Sequence, residues 1–447
     1  MNSKFKDKKV FIIGSGFRAL MTAFYCSKET KDINIISNNK NLHGVMSPIK
    51  WLGGKFDKGY HFFDGFNAKN KNILEDLVGK ENLFNFGYGA ASFTNNKIYP
   101  DHGIPYWPDK SISFSLISLF QYLLLAFKKD KEIKNYEDLL KTLPKNINRI
   151  LHHACIRNTN LTPDKLSHLV SRYSHFLCYR QSLLPDFLSN LLKKIDYFDA
   201  RLASRRKTLN LEQISLYPKG KYIGFISEIM EKNLKELGVR FINSTGIKIS
   251  KSDNSIKINY NGNSIFADHI FIVTELDNAL TLFDDKISNK KNNHYVSQIL
   301  YYFTTDKLYS KYQYIHGNDI NIKINRATNL SLYGEKTENN EFVISAEVPT
   351  KINSDIWNKS DEYKDYVWSE LKKMKMVDDD QKYRNYKIFK LEKTLSVPLV
   401  EFEDTLKKLN LLINKKYMNK IHLPGVGTFT RNIFMESLNT IFDNEKK

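Results

Sequence analysis

The stretch KVFIIGSGFRALMTAF, Lys9 to Phe24, decides the fold. Val10 to Ile13 are all apolar, as in a strand buried on both faces, and they run straight into Gly14-Ser15-Gly16. Gly14 lets the chain turn tightly out of that strand, and Gly16 lets backbone approach a diphosphate. Ala19 stands where a third glycine is commonest and is small enough for close helix–strand packing. The spacing predicts a helix from about Phe17 to Lys28, with Leu20, Ala23, Phe24 and Ser27 toward the sheet. A diphosphate would rest on that helix's N-terminus, against unpaired N–H groups and the positive end of the dipole. DINIIS then supplies a second buried strand, Ile33–Ile36, and completes a βαβ unit. A ribose carboxylate is expected roughly twenty residues after the glycines, but the strand ends in Ser37 and Asn38, which offer a hydroxyl and an amide instead.

Working outward, the pattern turns helical from about Pro105 to Arg206, with Thr162-Pro163-Asp164 as a helix start. After Tyr217 it reads as turn, helix and four short strands, and alternation then marks a second, antiparallel sheet containing Arg326. The chain closes on strand, glycine loop and helix. Nucleotide-fold pieces thus stand at the start, middle and end of 447 residues. The expected fold class is α/β. A Rossmann-like domain is assembled from 1–104, 207–285 and 415–447, with a helical insertion over 105–206 and an antiparallel-sheet substrate domain over 286–414.

Composition narrows the function classes. A net charge of +19 is spread along the chain without a basic arm or RNA-binding motif, which argues against nucleic acid as the partner. Cys26, Cys155 and Cys178 share no ligand spacing and read as reduced packing residues; no metal site is expected. The apolar run FSLISLFQYLLLAFKK, 114–129, is shorter than the roughly twenty residues a membrane span needs. It reads either as a buried helix or as one resting on a membrane surface. The expectation is a cytoplasmic protein, with 114–129 as an alternative peripheral contact at the inner face of the membrane.

Three further segments carry a resemblance. LHGVMSPIKWLGGKFDKGYHFFDGF (Leu42–Phe66) resembles the second FAD signature of the protoporphyrinogen oxidase, amine oxidase and UDP-galactopyranose mutase superfamily. His43 replaces the first glycine of its pair, Gly44 keeps the second, and Phe56 to His61 match its turn and strand around Gly59. YPKGKYIGFISEIMEKNLKELGVRFINSTGIKI (Tyr217–Ile249) is similar to the middle segment, where backbone near Ile247 would meet adenine and Lys221 replaces a common glycine. IHLPGVGTFTRNIFMESLNTIF (Ile421–Phe442) resembles the closing motif, in which Gly425, Gly427, Thr428 and the helix bearing Met435 would hold diphosphate and flavin; Val426 replaces a frequent arginine. FAD is the cofactor this resemblance implies.

The resemblance also nominates site residues. His61 would run beside the flavin or else pack among its aromatic neighbours. Arg326 would clamp a substrate phosphate or carboxylate, or be an exposed strand arginine. Arg431 would face flavin or substrate, and Arg201–Lys207 might be a solvated face or an anion contact. Two functions follow. One is an oxidoreductase passing a hydride from a small organic substrate, with an anionic one as an option, to flavin N5. The other is a non-redox flavoenzyme of UDP-galactopyranose mutase type acting on a nucleotide sugar.

Overall fold

Every residue of Val10–Ile13, here β1, is buried, as a strand covered on both faces requires. The structure is a computed structural model that describes residues 5–38, 42–87, 89–99, 117, 120–121, 133–173, 191, 214–252, 255–285, 287–319, 321–427 and 430–443. The helix α1 spans Gly16–Ser27 and the second strand, β2, spans Ile33–Ser37. β1 lies between β2 and the strand His269–Ile272, parallel to both. Arg240–Asn243 joins outside β2, and Ile421–His422 joins beyond His269–Ile272, both again parallel. Five parallel strands therefore come from the start, middle and end of the chain.

Side chains alternate across β1, so it feeds two cores. Val10 and Ile12 pack with Leu20 and Ala23 of α1, Met230 of the helix Ile223–Glu236, and Leu438 of the helix Arg431–Asp443. Phe11 and Ile13 pack with Ile249 and Ile258 of a three-stranded meander and with Leu409 and Ile413 of the helix Phe402–Tyr417. The sheet is covered on both sides. The strand order reverses at β1, and in such sheets the crevice at the carboxyl ends beside the reversal takes the ligand.

The second sheet has seven strands in the order Tyr386–Pro398, Asn293–Thr305, Phe342–Thr350, Arg326–Asn329, Tyr314–Gly317, Ala90–Thr94, Lys97–Tyr99. Its pairs are antiparallel except Tyr314–Gly317 with Ala90–Thr94, which run parallel. One face carries Ile299, Phe303, Ile344 and Ile315 under Trp368 and Leu371 of the helix Lys364–Lys373. The other face carries Gln298, Tyr302, His316, Thr328, Ser345 and Glu347, all buried. A buried polar sheet face is costly unless partners are supplied, and it marks where the sheet meets something other than its own core.

Two segments lie across the division expected from the sequence. Ala90–Thr94 and Lys97–Tyr99 are hydrogen-bonded into the second sheet, and the helix Phe402–Tyr417 packs on the parallel sheet through its apolar stripe. In the helical region, Pro144 separates the helices Tyr136–Lys141 and Lys145–Thr159, because proline cannot continue the hydrogen-bond ladder. The start expected at Thr162 opens one 3-10 turn, Pro163–Lys165, with no cap bond from the Thr162 side chain. Arg201–Lys207, Cys178, Thr428 and nearly all of 114–129 lie outside the described residues. Cys26 and Cys155 are buried free thiols, and burial pushes Cys155 up to about 12. Among the described residues no helix is long and apolar enough to cross a membrane.

Candidate functional site

The two ends of the chain meet on one residue. Val273 follows the strand His269–Ile272, and its N–H donates to the Ile13 carbonyl at 3.0 Å. A Cβ added to Gly14, whose φ is +142°, would lie 2.7 Å from Val273 Cγ2. A Cβ added to Gly425 would lie 2.4 Å from Val273 Cα, closer than backbone permits. Any side chain at either position would push one loop off the other. The Gly16 N–H donates to the Leu42 carbonyl at 2.6 Å, which brings Gly44 against Gly16. Arg18, in the first turn of α1, donates from Nη1 to the Gly425 carbonyl at 3.0 Å and lies 3.5 Å from Glu275 Oε1.

Other nominated positions serve this cradle by packing. Ala19 is buried on the core side of α1 and Met435 is fully buried in the same core, so Met435 offers a ligand no side-chain atom. Ser37 is buried, and its carbonyl accepts from the Ser244 N–H at 2.8 Å. Ile247 is half-buried against the meander core, and Gly427 rests on Phe402 and Leu406 at 3.6 Å.

The second half of the site grows from Asp57. Its carboxylate accepts from the Tyr217 hydroxyl and from the Ile223 N–H, each at 2.7 Å. Ile223 opens the helix Ile223–Glu236, so the acid stands at the positive end of that helix dipole. Burial still outweighs these contacts and pushes Asp57 up to about 7. From there the chain is pinned to the polar face of the second sheet. Tyr302 donates to the Asp57 carbonyl at 2.7 Å, and the Tyr60 N–H donates to Glu347 Oε1 at 3.1 Å. Gly59, with φ +84°, has room only for hydrogen there, since a Cβ would lie 2.8 Å from Glu347 Oε1.

His61 follows directly and feels the charge of two arginines. Arg326 donates from Nε and Nη2 to the two oxygens of Glu347 at 2.7 and 2.8 Å and lies over the Tyr60 ring. Gln298 also donates to Glu347, at 2.9 Å. Arg431 opens the C-terminal helix, donates from Nη1 to the Phe62 carbonyl at 2.8 Å and lies over Phe63. Burial first, then the positive charges of Arg431 and Arg326, hold His61 down at about 3. It is a neutral imidazole at any physiological pH. Arg431 is itself lowered to about 10, chiefly by burial and partly by Arg18, against the pull of Asp57 and Asp64.

Of the three side chains nominated from the sequence, His61 feels the charge of both Arg326 and Arg431, and Arg431 also feels the charge of Arg18 in the cradle. The Arg326 fork is filled by Glu347, so two of its N–H groups are not open to a substrate. Sequence reading missed Glu347 and Arg18. Each left a signal: Glu347 is the one charged residue in the run VISAEV, and Arg18 is a charge inside a glycine motif. Tyr333 was missed too. It is buried beside Tyr217 and Phe86, and among the described residues its hydroxyl has no hydrogen-bond partner.

No protein-family model matches this sequence, and no curated protein is similar to it. Solved structures are. A reduced UDP-galactopyranose mutase superposes at a TM-score of 0.69, with 13% identity over 98% of this chain and 96% of that one. A candidate protoporphyrinogen oxidase of Exiguobacterium sp. 255-15 gives 0.64, with 15% identity over 98% of both chains. This chain has the fold of the protoporphyrinogen oxidase, amine oxidase and UDP-galactopyranose mutase superfamily. Cyclohexylamine oxidase from Brevibacterium oxydans IH-35A extends the likeness, at 0.62 with 10% identity over 99% of this chain and all of that one. At such identities what this fold's members share with the chain is backbone architecture.

Proposed function

We propose that the chain is an FAD-dependent oxidoreductase that takes a hydride equivalent from a small organic substrate. One observation carries the reading: Gly14 and Gly425, from opposite ends of the chain, close on Val273 and form a single cradle where a Cβ would intrude. Backbone N–H groups at the start of α1, together with Arg18, suit a diphosphate there. An extended dinucleotide lying on that cradle would run toward His61 and Arg431. Bound so, the isoalloxazine would supply the two-electron acceptor for a CH–NH or CH–CH donor.

The residues around it bind and orient. His61, held neutral, can accept or donate a hydrogen bond without adding charge beside the ring. Arg431 fixes the strand after His61 to the closing helix, and Glu347 locks Arg326 in place. Asp57 is sealed behind Tyr217 and the helix N-terminus, out of reach of substrate. Among the described residues at this site no group is poised as a strong acid or base, which suits hydride removal better than proton abstraction. A second reading, a non-redox reaction of mutase type on an anionic nucleotide sugar, is favoured by the two guanidinium groups, Arg18 and Arg431, that stand near enough to repel each other. In either case substrate is a small molecule, with no role for nucleic acid.

Purified protein is expected to carry flavin absorbance. Anaerobic bleaching by amines or other CH–NH donors supports oxidation, while turnover only after dithionite reduction, with no net redox change, supports the mutase-type reading. A colourless protein that takes up no added FAD overturns both.

A further inference from the structure

A dinucleotide-binding strand normally ends in a carboxylate that accepts from the ribose hydroxyls. Here β2 ends in buried Ser37 followed by Asn38, so that charge-assisted grip on the adenosine half is missing. The glycine motif holds a charge instead. Arg18 is the third residue of α1, within the turn whose N–H groups have no helical partner. Helical side chains lean toward the N-terminus, and the Arg18 guanidinium does so, reaching across the mouth of the cradle to the Gly425 carbonyl at 3.0 Å. Its side chain keeps 23% of its exposure, so a ligand can reach it. Among the described residues, Glu275 and Arg431 also bear on it. Glu275 lies 3.5 Å from Nη1, and Arg431 stands near enough for the two arginines to repel. With burial, a neighbouring cation and a competing carboxylate in Glu275, this arginine is set to exchange Glu275 for a stronger anion.

We propose that Arg18 grips the diphosphate of the bound dinucleotide, in compensation for the absent ribose carboxylate, and that Glu275 is the internal competitor that holds its guanidinium in the unliganded chain. This rests on the FAD reading above. The chain thereby recognises the phosphates of an ADP-containing ligand more than its ribose.

The test uses the full chain freed of flavin, as wild type, Arg18→Gln, Arg18→Lys and Glu275→Gln, with affinities measured for FAD, ADP, adenosine and riboflavin. Arg18→Gln is expected to weaken FAD and ADP roughly 10- to 100-fold, the worth of a hydrogen bond to a charged group. Adenosine and riboflavin should be unchanged. Arg18→Lys should recover part of the loss, and Glu275→Gln should tighten FAD and ADP. Equal weakening of all four ligands would assign Arg18 a structural role and overturn the proposal, as would an Arg18→Gln chain that binds ADP like wild type. If Arg18→Gln melts far below wild type, the Glu275→Gln arm decides: weaker or unchanged ADP binding overturns the proposal. A wild-type chain that binds neither FAD nor ADP defeats the cofactor reading itself, whereas wild-type binding with indifferent variants defeats this inference alone.

Discussion

Breaking the Arg326–Glu347 pair from one side leaves a carboxylate that is only 6% exposed without its counter-charge. Arg326→Met should therefore cost about 3–5 kcal/mol in denaturant unfolding, and Arg326→Met with Glu347→Met should recover much of it. His61 is held at about 3, against an ordinary value of 6.5. Its ring resonances should stay those of a neutral imidazole between about pH 5 and 8, where an unperturbed histidine titrates. Since the folded value lies below the unfolded one, the stability it contributes is present above 6.5 and is lost as pH falls toward 3. Asp57 runs the other way. Its folded value, about 7, lies above the ordinary 3.8, so the folded chain binds the proton more tightly. The Asp57 contribution should then fall as pH rises from 3.8 to about 7, opposing that of His61, so in thermal melts Asp57→Asn should gain stability relative to wild type across that window.

At the scale of elements, the cradle depends on three loops pressed together: the turn after β1, Val273, and the loop before the C-terminal helix. Gly425 meets Val273 through backbone on both sides, and backbone cannot rotate away as a side chain can. Gly425→Ala is expected to destabilise the fold by about 1–3 kcal/mol, the usual cost of forced overpacking, and to weaken FAD binding measured by fluorescence. A matched Gly262→Ala, on a meander turn with open space around it, should leave FAD binding unchanged. The same logic explains the junction of the two sheets. The stretch from Asp57 to Tyr60 bonds to Tyr302 and Glu347 on one sheet and to Tyr217 and Ile223 beside the other, so His61 inherits its place from both.

Over the whole molecule, a ligand that lies across the cradle binds loops from both ends of the chain and only in the folded state. FAD at about a hundred times its dissociation constant should stabilise the protein by roughly 2.7 kcal/mol, read as a rise in melting temperature that grows with FAD concentration. Adenosine alone, without phosphates, should give far less.

Local chemistry was legible in the sequence because it is written locally. An apolar run of strand length, two glycines and a helical stripe determined the βαβ unit; its helix begins at Gly16 and its second strand runs to Ser37, each within a residue of expectation. Gly14 and Gly16 came forward from that same local pattern, whereas His61, Arg326, Arg431 and the later glycine positions came forward through the resemblance carried by the motifs around them. What tertiary structure alone decided is who faces whom. That Glu347 fills the Arg326 fork, that Gly14 and Gly425 share Val273, and that Arg18 reaches the far end of the chain are contacts between segments separated by up to 407 residues. Strand pairing and helix docking minimise exposed apolar area summed over all elements at once, and no window of sequence contains that sum.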